Sequence, residues 1–373
     1  MLLDVIIYSV YQLFLDSGII YVYNGEQGKS ADDSYGGAVR KYPSPLLERG
    51  IFVMDTSAKP FITIDEQVQL LKDRKLVIDD DENVKRLLLS NNYYKIINGY
   101  SKFFPIENDT YTNETSFTEV IRLYEFDKEL KEAFFKATLA TESHLKAIFA
   151  YHFAEAYPDV RYSYLDIACY DPALVLNAVK TIHRLSGIID KQKDFTNSSI
   201  HHYVRAYHNV PIWVLVNYID FGDLRYMIMN SRKPIQNNVA RDIMQFSKQN
   251  LPNLKKFPPE NMLNLLSNIN ELRNICAHNN RLLGFKCRSD CRFWPQLHNL
   301  YNISKNSERR DVYSIYISLQ CFLSSTEFSF LHNTLRKRMN YLSNQLHSID
   351  INTVLKTIGF PKNWNTIVPK KKQ

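Results

Sequence analysis

The sequence predicts an all-α protein, and three observations carry the prediction. Glycine supplies only 11 of 373 residues, too few for a sheet protein built on tight turns. Long stretches run without proline or glycine, Ser116 to Tyr157 among them. Inside those stretches apolar residues recur at helical intervals behind side chains suited to helix capping.

Composition bounds the rest. A hydrophobic content of 45% with 23% charged residues is that of a globular chain, and 373 residues suffice for a real core. The net charge of +7 and pI near 8.9 permit a nucleic-acid partner without demanding one, because the basic residues are spread rather than blocked. Five cysteines, odd in number and irregularly spaced, give no disulfide framework; the expected compartment is the cytoplasm.

The first residues, LLDVIIYSVYQLFLDSGIIYVY, are apolar, yet Asp4 and Asp16 interrupt them and no basic region precedes them. No stable membrane association is expected, although a membrane-bound effector is the alternative this segment raises. Residues 24–45 are polar and rich in Gly and Ser, which fits a linker. Met54 opens a segment with the look of a natural start, so residues 1–53 are expected to be an extension outside the main fold. Detection of a native N-terminal peptide from before Met54 would refute an over-extended start.

After Met54 the helices follow in order. Thr63-Ile64-Asp65-Glu66 has capping-box spacing, with Ile64, Val68, Leu71 and Leu76 behind it. A second helix begins near Asp81 and carries Val84, Leu87 and Leu88. The aromatics of NNYYKIINGYSKFF should pin a turn to the core. Ser116-Phe117-Thr118-Glu119 is a second capping box, opening one very long helix or two joined by a kink before Pro158. Asp171-Pro172 starts the next, with proline at the first helical position. PIWVLVNYIDFGDLRYMIMN, from Pro211 to Asn230, reads as a buried helix or a pair broken at Gly222. Pro258-Pro259-Glu260 starts another, and two or three more cover about Arg309 to Leu346, before a frayed PKKKQ tail. The expected division is an extension over 1–53, a helical core over 54–300 and C-terminal helices over 301–373 packed on that core.

The helix after Pro259 carries RNICAHNNR, Arg273 to Arg281. At about 100° per residue, Leu265, Ile269, Leu272, Ile275 and Cys276 fall on one side. Asn270, Arg273, Asn274, His278 and Arg281 fall on the other. Arginine offers fixed charge and a donor fork matched to phosphate, and histidine exchanges a proton near neutral pH. Small Ala277 leaves room on that face for a second helix or a ribose-phosphate. A solvated helix face with a chance spacing is the bland alternative, but such faces usually carry Lys and Glu. Glu142 and Lys146, four apart on the long helix, form either an ordinary surface pair or part of the site. His201, His202 and His208 fit surface positions better than a site. Cys287, Cys291 and His298 have loose metal-ligand spacing but lack a clear fourth ligand, so no metal is expected. No Gly-rich phosphate loop occurs, and no cofactor is expected.

RNICAHNNR is similar to the R-[NHD]-x-x-x-H signature of the HEPN superfamily of helical RNases. More narrowly, the chain resembles the Abi-like family (AbiD and AbiF type) of bacterial abortive-infection proteins. KPFITIDEQVQLLKDRKLVIDDDENVKRLLLSNNYYKIINGYSKFF is similar to the family's N-terminal block. FTEVIRLYEFDKELKEAFFKATLATESHLKAIFAYHFAEAYP is similar to its LYxFDxxL helix, and PIWVLVNYIDFGDL to its PxWxxxxxxxFG segment. The blocks occur in family order over about Lys59 to Phe285.

The resemblance implies a HEPN-like helical bundle with additional N- and C-terminal helices. It also implies a metal-independent endoribonuclease acting in phage defence by attack of the ribose 2′-OH on the adjacent phosphate. His278 would be the general acid or base, and Arg273 would stabilise the phosphorane. Asn274 would position phosphate or histidine, Arg281 would hold the RNA backbone, and Glu142 would face the motif helix. One chain offers one such motif, so a homodimer with a composite cleft is expected, acting on RNA and restrained by a regulatory RNA or antitoxin partner. A non-catalytic RNA-binding or scaffold protein is the alternative function.

Overall fold

Capping chemistry sets where the helices begin. In the computed structural model, which describes residues 61–366, Thr63 and Glu66 close a capping box on α1 (Ile64–Asp73), and Asp80 caps α2 (Asp81–Asn91) through the Asn83 N–H. The apolar stretch and linker before Met54, Met54 itself and the basic tail lie outside the described residues. The aromatic segment then forms a π-helical turn, Tyr94–Asn98, and a 3-10 turn, Ser101–Phe103, with Ile96, Ile97 and Tyr100 buried. A two-stranded hairpin follows, pairing Ile106 with Tyr111 and Glu107 with Thr110. Asn108 and Asp109 supply the left-handed turn residues that such a short loop requires.

The long segment is a single helix, α3 (Phe117–Ala156), of 40 residues and roughly 60 Å. The Ser116/Glu119 box starts it, and it stops just before Pro158, whose ring disfavours helical backbone in the residue ahead. α3 is the axis of the protein. Phe126, Leu130, Phe134, Leu145, Phe149 and Phe153 are all buried along it, so it lacks a broad solvated face.

The following elements wrap that axis. They are α4 (Val175–Gln192), α5 (Ser199–Tyr207), α6 (Ile212–Leu215), α7 (Phe221–Asn230), α8 (Lys233–Asn250), α9 (Pro259–Ala277), α10 (Pro295–His298), α11 (Val312–Leu319), α12 (Ser325–Ser343) and α13 (Ile351–Thr357). α8, α9, α12 and the short α6 pack directly on α3. The fold is all-α apart from the hairpin, and no described helix is long and apolar enough to cross a membrane.

Two boundaries differ from expectation. Pro172 opens a 3-10 turn rather than the helix itself, and regular α4 begins at Val175. The 211–230 segment breaks over 216–220, not at Gly222, because Asp220 caps α7 through the Asp223 N–H at 2.7 Å. Gly222 sits inside the first turn of α7, where an added Cβ would come within 3.2 Å of Asp220 Oδ1.

Glu119 joins the start of α3 to the chain after α12. Its Oε1 accepts from the N–H groups of His347 (2.7 Å) and Ser348 (2.8 Å) and from the Ser348 hydroxyl, while Oε2 serves the cap at Ser116. Burial alone would raise its pKa, but the N–H groups of Ser348, His347 and Ser116 outweigh that, and the net result lies below 4.5. A depressed carboxylate contributes stability that is complete above its unfolded pKa and is lost as pH falls through the folded value. Glu119→Gln should therefore destabilise the protein at neutral pH by about 1–3 kcal/mol and flatten the acid limb of its stability curve. Urea melts at neutral pH and at about pH 3 check this; identical slopes for variant and wild type would refute it.

Candidate functional site at the end of α9

The motif helix is shorter than its polar pattern suggests. Regular α9 ends at Ala277, His278 is its C-cap, and Asn279 turns the chain with φ +54°. The Asn280 N–H bonds to the Ile275 carbonyl and the Asn279 N–H to that of Cys276, a Schellman ending with asparagine where glycine is usual. Arg273 and Asn274 therefore ride on the helix, His278 caps it, and Arg281 lies beyond it. Asn274, Ala277 and His278 are exposed, so the polar end of α9 faces solvent.

The reason for asparagine at the turn lies on α3. Lys131 Nζ donates to Asn279 Oδ1 at 2.7 Å and pairs with Asp127 Oδ2 at 3.2 Å. Asp127 is wholly buried and has four partners, one by ion pair and three by hydrogen bond. These are Lys131, the Leu282 N–H (2.9 Å), the Leu283 N–H (2.7 Å) and the Tyr100 hydroxyl (2.9 Å). One carboxylate thus fixes the chain that leaves the motif.

Arg281, expected to hold the RNA backbone, belongs to the same clamp. Its Nη1 donates to the Gly99 carbonyl at 2.7 Å, its Nε to the Leu283 carbonyl at 3.0 Å, and its guanidinium lies 5.7 Å from the Phe103 ring centre. The aromatic segment is pinned to the core as expected, and it also anchors the loop after the motif.

One face of α3 supplies the other half of the site. Asp127, Lys131 and Glu142 are separated by four and eleven residues, close to whole turns; Glu142 faces α9, and the other two face the turn that follows it. Glu142 and Lys146 pair at 2.7 Å with side chains only 9% and 17% exposed, which removes them from the class of solvated surface pairs. Glu142 Oε2 lies 4.0 Å from Arg273 Nε, and neither atom makes a hydrogen bond among the described residues. The Arg273 bond to Asn274 Oδ1 is long at 3.4 Å. Arg273 is steered by charge and keeps N–H donors beyond its one long bond to Asn274. Asn274 faces solvent beside it, and no hydrogen bond engages the His278 ring among the described residues.

The remaining candidates separate from this site. His201 Nδ1 donates to the Lys193 carbonyl (2.6 Å), His202 packs edge-on to Tyr203 and Tyr207, and His208 caps α5. Cys291 Sγ lies 3.6 Å from His298 Nε2, but Cys287 Sγ turns to the Asn268 carbonyl. Burial pushes the Cys291 thiol up to about 12 and His298 down to about 4, and no metal-holding group of three is found among the described residues.

Sequence reasoning missed Asp127 and Lys131. A signal was present: an acid and a base four apart among Tyr124, Phe126, Leu130 and Phe134 have no solvated side to occupy.

Fold and site together define a helical-bundle protein that presents an arginine and a histidine at the exposed end of a helix braced by buried charges. A family model described as Abi-like protein matches residues 86–284, more than half of the chain, and takes in α3, the clamp and the motif. The chain belongs to the Abi-like protein family, and at that coarse level its role is abortive infection, a form of phage defence. No curated protein and no solved structure matches it.

Proposed function

We propose that the protein is a metal-independent endoribonuclease of HEPN type, acting in the cytoplasm as an abortive-infection effector. The observation that carries this is the pair Arg273 and His278 at the exposed end of α9, with Arg273 steered by buried Glu142. In the reaction the ribose 2′-oxygen attacks the adjacent phosphorus and the bond from phosphorus to the 5′-oxygen breaks. The 2′-OH proton passes to a neutral His278, and a protonated His278 gives a proton to the departing 5′-oxygen. Arg273 stabilises the charge on the pentacoordinate phosphorane, and Asn274 holds a phosphate oxygen or the imidazole.

Acid and base are needed together, and one chain carries one His278. Two chains related by a two-fold axis, each offering the exposed end of α9, supply both. Exposed Ala277 leaves the space for that approach. The clamp of Asp127, Lys131 and Arg281 keeps the motif's turn fixed while the partner docks. A regulatory RNA or antitoxin that covers this end of α9 would hold the enzyme off.

RNA isolated after expression of the protein tests the reading through its ends. New 2′,3′-cyclic phosphate and 5′-OH termini are expected, and the active species should sediment as a dimer. Full activity in a monomer would remove the composite site, and 3′-OH ends would remove the 2′-OH mechanism.

A further inference from the structure

A cavity of about 1000 Å³ forms a groove that α3 shares with α6 and the residues after it. Small residues of α3 (Ser143, Ala147, Ala150 and Ala154) line one side of it, together with Glu142 and Lys146. Two large aromatic rings line it while facing water: Tyr151 is 63% and Trp213 57% exposed, although Ile212, Val214 and Leu215 around Trp213 are buried. Wet aromatic rings in a groove supply stacking area that the core does not use. Among the lining residues, Glu142 is 93% buried by its 7% exposure, and its Oε2, 4.0 Å from Arg273 Nε, accepts no hydrogen bond. A buried carboxylate oxygen without a donor is costly, and a ligand N–H would satisfy it once Glu142 turns that oxygen into the groove.

Resting on the ribonuclease reading, we infer that this groove receives the base of a single-stranded RNA nucleotide beside the scissile phosphate. The base stacks on Trp213 and Tyr151, and an amino-bearing edge, as in adenine, cytosine or guanine, donates to Glu142 Oε2. The charges match that occupant: Lys146 and Arg273 lie on either side of Glu142 and favour a phosphate-bearing chain. The same contact couples base recognition to catalysis, because Glu142 is the carboxylate that steers Arg273. Uracil has no amino group, and the two carbonyl oxygens flanking its N3–H oppose the carboxylate, so it is discriminated against.

Fluorescence of full-length His278→Ala protein titrated with short oligo-A, oligo-C and oligo-U RNA tests this. Trp294 and Trp364 are buried, so quenching by an added base reports chiefly on Trp213. Quenching by oligo-A and oligo-C at lower concentration than by oligo-U is expected. Trp213→Leu and Tyr151→Leu, both at exposed positions, should each weaken binding roughly tenfold. Quenching without any RNA cleavage by the wild-type protein would support the groove while removing the nuclease reading. Cleavage with a KM unmoved by Trp213→Leu, and no quenching, would overturn the groove and leave the nuclease standing. A dimer that falls to monomers on Trp213→Leu with RNA affinity intact would also overturn it, giving the groove to a second copy of the chain.

Discussion

Asp127→Ala is expected to lower the folding free energy by about 3–5 kcal/mol, the cost of leaving a buried charge without its partner. Three hydrogen-bond donors and the Lys131 ammonium converge on that carboxylate, and two of the donors are main-chain N–H groups just after the motif. Its removal strands Lys131, itself only 4% exposed, and frees Leu282 and Leu283 from α3. Tyr100→Phe, which deletes a single donor, should cost only about 1 kcal/mol. Urea denaturation of both variants separates these values, and an Asp127→Ala cost equal to that of Tyr100→Phe would refute the clamp. Cleavage should fall with the clamp too, because His278 stands only three residues before Arg281.

Arg273→Ala is expected to act on rate instead of stability. Removing a preorganised charge that meets a developing oxyanion typically lowers the rate by ~10²–10³. Stability should change by about 1 kcal/mol or less, since the Arg273 contact with Glu142 is long and Glu142 keeps Lys146. RNA binding should persist, because other basic groups remain. Arg273→Lys should recover the charge but not the forked geometry, and so only part of the rate. A loss of binding equal to the loss of rate would assign Arg273 to affinity rather than to the transition state.

The helical architecture was legible because its signals are local. Thr63, Asp80, Ser116 and Ser324 cap helices with their own side chains, and the 40-residue α3 needs only a box at one end and Pro158 at the other. The break at 216–220 was hidden because glycine draws attention and an aspartate cap does not. At the site, Arg273, Asn274 and His278 could be read from residue type and spacing. The fate of Arg281 could not: a helical wheel continues past the residue where the helix stops, and Asn279 stops it in a left-handed turn. That turn depends on Lys131, 148 residues away in sequence. The pairing of Glu142 with Arg273 is equally non-local, and only the family resemblance anticipated it.

The most direct measurement is cleavage of labelled single-stranded RNA by the purified protein in EDTA, with His278→Ala run beside wild type. Products ending in 2′,3′-cyclic phosphate, formed by wild type and absent from the variant, are the predicted result. Equal cleavage by both proteins would contradict the account, because the proton transfers would then not pass through His278.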